Sequence, residues 1–204
     1  MPWRNRVTPA GEIVTATGRG SLMGNRGVLI DAERRLVRDS QVRRWIACRL
    51  EFRGRHRRVM TPGTWTELFF LDEATALSAG HRPCAECRHA DFRMFQAAWR
   101  SAFPQTDTHA DALDEVLHAE RRSGPWLKRT HRAPVATLPD GAYIALDDHA
   151  WLVHCDALHA WTADGYAERR TRPTTGEVTV LTPPSIVGVL QAGYPARVHP
   201  SAAG

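Results

Sequence analysis

Residues 68–99 read LFFLDEATALSAGHRPCAECRHADFRMFQAAW, and the order of signals in this stretch decides the fold class. Apolar residues 67–71 predict a short strand. Asp72 then stands where it can cap a helix over residues 73–79, with Gly80 closing it in a left-handed conformation. His81, Arg82 and Pro83 lead into Cys84-Ala85-Glu86-Cys87. A second helix is expected over residues 91–102, where Phe92, Phe95 and Trp99 recur at helical spacing before Pro104. That aromatic stripe is read as core rather than as a platform for stacking bases.

Two thiolates on a tight turn can share one zinc ion, which takes about four ligands in tetrahedral geometry. Cys84 and Cys87 are therefore half of a metal site. The rival is a redox dithiol, but that motif opens a helix after a strand. Here the cysteines follow a helix and a Gly-His-Arg-Pro turn, so zinc is the better expectation.

Residues 69–88 resemble part of the metal-binding N-terminal domain of the Ada DNA-repair family. The shared pattern is an apolar strand, a Glu-Ala helix, Ala-Gly, and Arg-Pro-Cys-x-x-Cys-Arg. Phe69, Phe70, Glu73, Ala74, Ala79, Gly80, Arg82, Pro83, Cys84, Cys87 and Arg88 carry it. The resemblance implies zinc at Cys84 and Cys87 in a small DNA-contacting module. That family completes its site with an upstream Cys-x-x-x-Cys pair, one thiolate of which accepts a methyl group. This chain has no such pair, and His81 replaces an aromatic residue of the pattern, so methyl transfer is not expected.

Upstream, residues 43–52 alternate as a half-buried strand, with Ile46, Cys48, Leu50 and Phe52 on one face. A turn at residues 53–55 and a returning strand over 56–60 would form a hairpin. Cys48 is the first candidate to join Cys84 and Cys87, and its competing role is that of a small buried hydrophobe. His81, His56 and His89 follow as further candidate ligands.

Net charge is +5 over 204 residues, but its distribution is uneven. The first 58 residues hold fourteen arginines, no lysine and five acids, which leaves +9 there and −4 in the remainder. Guanidinium forks recognise phosphate at two points and stack on bases, which points to a nucleic-acid face, DNA ahead of RNA. The alternative is a genome that encodes arginine in place of lysine. The loop at residues 18–27 has four glycines and carries Arg19 and Arg26; with Arg55, Arg57 and Arg58 these are the candidate phosphate contacts. No Gly-Lys-Ser/Thr follows that loop, so it is not a P-loop, and an ordinary turn between strands at 12–17 and 28–30 is the competing reading.

Past Pro104 a helix is expected over residues 110–121, then short strands at 143–146, 151–154, 160–162 and 178–181, and a last helix from Pro184 to Ala192. Asp114 and His118 share a face of the first of these helices, near Glu115, Glu120 and, further on, His131. A solvated helix face explains them more simply than acid–base chemistry, and the group of His154, Cys155 and His159 is read as structural. No hydrolase signature occurs, so whether the chain is an enzyme stays open.

The expectation is an α+β chain: an Arg-rich, Ada-like zinc domain over 1–104, with a small antiparallel sheet, and a helix plus a β-rich part over 105–204, packed on it as one unit or standing apart. With 43% hydrophobic and 24% charged residues it is globular rather than disordered. The absence of an apolar run of eighteen residues or of a signal sequence, and one close cysteine pair, fit a reduced, cytoplasmic protein without a membrane partner. A zinc-containing nucleic-acid-binding protein, with a place in DNA repair or modification, is the expected function. A nuclease or glycosylase with structural zinc, and a protein-interaction module, are the alternatives.

Overall fold

The computed structural model describes residues 2–54 and 58–203, a mixture of sheets and helices. The first half contains strands β1 (Arg4–Val7), β2 (Ile13–Thr15), β3 (Leu22–Asn25), β4 (Ile46–Cys48) and β5 (Leu68–Phe70). Helix α1 (Glu73–Ser78), the two-residue strand β6 (Arg82–Pro83) and helix α2 (His89–Ala102) follow. These strands form one six-stranded sheet in the order β2-β1-β5-β3-β4-β6. The pairs β1–β5 and β4–β6 are parallel, so the sheet is mixed rather than antiparallel as expected. The crossover through α1 is what lets β6 run parallel to β4, since parallel strands cannot be joined by a hairpin turn.

Two details of this sheet differ from the pattern in the sequence. The glycine-rich stretch 18–27 contains a central strand, β3, paired with both β4 and β5. Its Gly24 is what permits this packing, because a Cβ there would stand 2.2 Å from the Ile46 carbonyl oxygen and 2.9 Å from the Phe70 ring. Residues 28–30 contribute only an isolated bridge between Ile30 and Leu36. Strand β4 is three residues long and pairs with β3 and β6, so both its edges are taken without a hairpin partner from residues 56–60. Of that segment, His56 and Arg57 lie outside the described residues, as does Arg55.

The second half begins with α3 (Ala110–Arg121) and a hairpin of β7 (Arg122–Gly124) and β8 (Leu127–Lys128). Strands β9 (His131–Pro134), β10 (Tyr143–Leu146), β11 (His149–His154), β12 (Ala157–Thr162), β13 (Gly165–Thr171) and β14 (Glu177–Val180) come next, then α4 (Pro184–Gln191). They form an antiparallel sheet in the order β13-β12-β11-β10-β14-β9. Asp147 and Asp148 take φ of 50° and 60° in the two-residue turn between β10 and β11, the backbone that matches strand twist in tight hairpins.

The largest core is shared by both halves. Phe92, Phe95 and Trp99 of α2 pack with Leu113 and Leu117 of α3, with Ile144, Trp151 and Val180 of the second sheet, and with α4. Hydrogen bonds also join the halves: Thr75 Oγ1 meets Tyr143 Oη at 3.1 Å, and Asp72 accepts from Tyr166 Oη at 2.6 Å. The core therefore crosses residue 104. No helix among the described residues is long and apolar enough to cross a membrane.

Candidate metal centre

Strand pairing brings the third cysteine to the other two. In β4 the buried Ala47 faces the core, while Ile46 and Cys48 point to the opposite face. Beside it β6 pairs Ala47 with Pro83, and the Cys84 N–H continues the ladder by donating to the Ala47 carbonyl at 3.0 Å. The turn then closes on itself, as Arg88 N–H donates to the Cys84 carbonyl at 3.1 Å, and Cys87 Sγ accepts from Arg49 N–H at 3.4 Å. As a result the sulfurs of Cys48, Cys84 and Cys87 all lie within 4.8 Å of one another and could hold a metal ion.

The residues around the turn explain why its flanks carry arginines. Arg82 makes a two-point ion pair with Asp114, at 2.9 and 2.7 Å, both side chains being buried. Arg88 reaches Glu73 at 2.5 Å and Asp91 at 2.8 Å, also buried. Glu73 in turn accepts from Tyr194 Oη at 2.6 Å. Each arginine thus ties one end of the turn to a different helix, α3 on one side and α1 with α2 on the other. Gly80, at φ 86°, lets α1 end directly against Arg121, whose Cδ would be 2.6 Å from an added Cβ.

The three sulfurs share protons unequally. Hydrogen bonds from Cys48 and Cys87 pull the Cys84 thiol far below its ordinary range, and hydrogen bonding to Cys84 and Cys87 pushes the Cys48 thiol up. Clustered thiols with a readily ionised member are the donor set that soft or borderline cations such as zinc select. Three thiolates also leave one of zinc's four positions for a further ligand.

Cys48, Cys84 and Cys87 line a cavity of about 510 Å³. Phe52, Phe69 and Trp65 add aromatic surface to it, Arg49 a positive charge, and Glu51, Glu67 and Glu86 three carboxylates. Trp65 is 43% exposed. Arg53 lies over the Phe52 ring at 4.9 Å and Arg6 over the Phe69 ring at 5.0 Å. Nothing in the sequence singled out Arg49, Trp65 or Phe69 as cavity residues; a tryptophan set between two threonines in a turn-rich segment was the one available signal.

The other candidates are placed elsewhere. His81 is fully buried against Phe70 and Trp45, with ring centroids 4.6 and 5.1 Å away, and accepts from Arg26 Nε at 3.3 Å. It takes the place of an aromatic side chain, and burial with two nearby guanidinium groups holds its pKa well below the usual imidazole range. Among the described residues neither His81 nor His89 joins the sulfurs, and His56 lies outside those residues. Of the candidate phosphate contacts, Arg19 and Arg58 are exposed, whereas Arg26 is buried and separated from the loop surface. Asp114 is engaged by Arg82, and Glu120 accepts from the Ser185 N–H and hydroxyl at the start of α4, so neither is available to His118 as an acid–base partner. Asp140, His154 and Cys155 form a second, exposed group of potential ligands.

No protein-family model, no curated protein and no solved structure matches the chain.

Proposed function

We propose that Cys48, Cys84 and Cys87 bind one zinc ion and that the surface around it binds nucleic acid, DNA ahead of RNA. The observation that carries this proposal is the convergence of the three sulfurs beside a cavity whose lining has the aromatic side chains Phe52, Trp65 and Phe69 and one guanidinium, Arg49, together with Glu51, Glu67 and Glu86. Single strands bind where basic groups track the backbone and aromatic side chains stack on bases, each stacked base contributing about 1–3 kcal/mol. Exposed Arg49, which lines the cavity, Arg53 over the Phe52 ring, and Arg58 next to the cavity residue Val59 supply the basic part. The Ada-like pattern over residues 69–88 agrees with both halves of the proposal. In it Glu73, Arg82 and Arg88 serve as the frame of the site, since their buried ion pairs hold the cysteine turn.

A second use of the site follows from the ligand count among the described residues. Three protein ligands with one position left over is the arrangement of zinc centres that activate water or a substrate, as in nucleic-acid-processing enzymes. The adjoining cavity favours this reading over a zinc with a purely structural role.

Fluorescence anisotropy with labelled single-stranded and duplex oligonucleotides, titrated across salt concentration, tests the binding. Affinity that falls linearly on a log–log salt plot, and weakens when Trp65 is replaced by Ala, is the expected result. A zinc-loaded protein with no salt-sensitive affinity for any strand would exclude it. Product formation from plain, alkylated or deaminated strands separates the enzyme from the binding protein.

A further inference from the structure

On a different part of the molecule a second cavity, of about 430 Å³, is lined by five basic side chains, Arg4, Arg26, Arg121, Arg122 and Lys128. Only two acids, Glu12 and Asp39, line it with them. Asp39 is already engaged, by Arg122 at 3.2 Å and by the Trp126 N–H at 2.7 Å.

The three innermost cations are held by neutral acceptors alone. Arg26 donates to His81 and to the Gly11 carbonyl, Arg121 to the Gly80 and Arg43 carbonyls, and Lys128 to the Ser78 carbonyl. Arg26 and Arg121 are 1% and 2% exposed, and stack on the Trp45 ring with each guanidinium carbon 3.9 Å from its centroid. Each also keeps a buried N–H without a partner, at Arg26 Nη2 and Arg121 Nε. Arg26 Nη2 is 3.7 Å from where a Cβ on Gly11 would stand, and Gly11 lines the same cavity, so a side chain there would stand directly against that N–H.

Buried charges are normally paired, because an uncompensated one costs several kcal/mol of lost hydration. Two buried guanidinium groups and an ammonium gathered with no carboxylate in hydrogen-bond contact are an unsatisfied charge set, and an anion with several acceptor oxygens is what satisfies it. Guanidinium forks suit phosphate in particular. Trp126 also lines the cavity and is 50% exposed, at φ 62° in the turn between β7 and β8, which leaves a flat aromatic face beside the charges. The volume lies within the range of about 300–1,000 Å³ typical of small-molecule sites.

We infer that this cavity binds a phosphate monoester bearing a planar ring, of the nucleotide class, with Arg26, Arg121 and Lys128 on the phosphate and Trp126 against the ring. The site shares no lining residue with the thiol cavity and stands or falls independently of the proposed zinc.

Isothermal titration calorimetry of the full chain with adenosine 5′-monophosphate, adenosine and inorganic phosphate tests it. Saturable binding of the monophosphate, competition by inorganic phosphate and no binding of adenosine are expected. Lys128→Met removes one charge-assisted hydrogen bond and should weaken the nucleotide about tenfold or more. Trp126→Ala, on an exposed turn, should weaken the nucleotide several-fold and leave inorganic phosphate unchanged. A 5′-phosphorylated oligonucleotide that competes when its 5′-hydroxyl counterpart does not would assign the phosphate to a strand end; failure of both to compete, with the mononucleotide still bound, assigns it to a free small molecule. Absence of saturable binding of both phosphate compounds to the wild-type chain would overturn the inference. Unchanged nucleotide affinity in a folded Lys128→Met protein, confirmed by circular dichroism, would do the same.

Discussion

Arg88 and Glu73 form an ion pair of 2.5 Å with both side chains at least 98% buried, and the pair joins the end of the cysteine turn to the first turn of α1. Arg88 also holds Asp91, and Glu73 also holds Tyr194, so the pair sits within a network linking the two halves of the chain. Removing one member leaves the other charged and buried. Arg88→Met is therefore expected to cost about 3–5 kcal/mol of stability. Replacing both, as Arg88→Met with Glu73→Leu, should recover part of that loss. Urea denaturation of the two variants measures the difference, and equal destabilisation by both would show that the charge imbalance is not the cause.

Gly24 is the position where β3 can pass between Ile46 and Phe70. Gly24→Ala forces backbone apart at the strand next to Cys48, and overpacking of this kind costs about 1–3 kcal/mol or more. The variant should show a lower denaturation midpoint and weaker metal retention together. A stable Gly24→Ala protein with unaltered metal binding would show that β3 can shift without disturbing the site.

Trp45 has a guanidinium group against its ring twice over, from Arg26 and Arg121, and is itself buried. Trp45→Leu removes both contacts and leaves a void. The expected loss is about 3 kcal/mol, within the range for large core truncations, and urea denaturation reads it.

Lys128 is the clearest pH-dependent group. Burial first, then repulsion from Arg26 and Arg121, lowers its pKa from 10.5 to about 7. Between pH 7 and 10.5 the unfolded lysine holds a proton that the folded one has released, so stability rises as pH rises through that window. Arg26 and Arg121 are shifted in the same direction by burial but stay protonated. Melting temperature should climb from pH 7 to 10, and Lys128→Met should flatten the climb. A wild-type profile that is level or falls over that range would contradict the burial of this charge.

The four helices were legible because their caps and apolar periods are local signals: Asp72 does cap α1, and α3 occupies residues 110–121 as its pattern predicts. Strand β10 likewise occupies residues 143–146 as expected. The first sheet was hidden for a physical reason. Its strands are two to four residues long and pair over large sequence distances, as Met23 does with Cys48 and Arg6 with Phe69. Gly24 reads as a loop residue while serving close packing. The hairpin expected after residue 52 lost to these non-local pairings. Cys48 could be ranked as a ligand because it is the one cysteine upstream of the pair, but its register against Pro83 and Cys84 could not be read. The cation set at Trp45 was invisible for the same reason, since Arg26 and Arg121 are brought together only by the fold.

The metal site itself is tested most directly by the metal content of the purified chain, measured by mass spectrometry and compared with Cys48→Ser and Cys84→Ser variants. About one zinc per chain is expected in the wild type, with near-complete loss in Cys84→Ser and a marked loss in Cys48→Ser. A wild-type protein that takes up no zinc, or a Cys48→Ser protein that keeps its full complement, would contradict a three-thiolate centre at Cys48, Cys84 and Cys87.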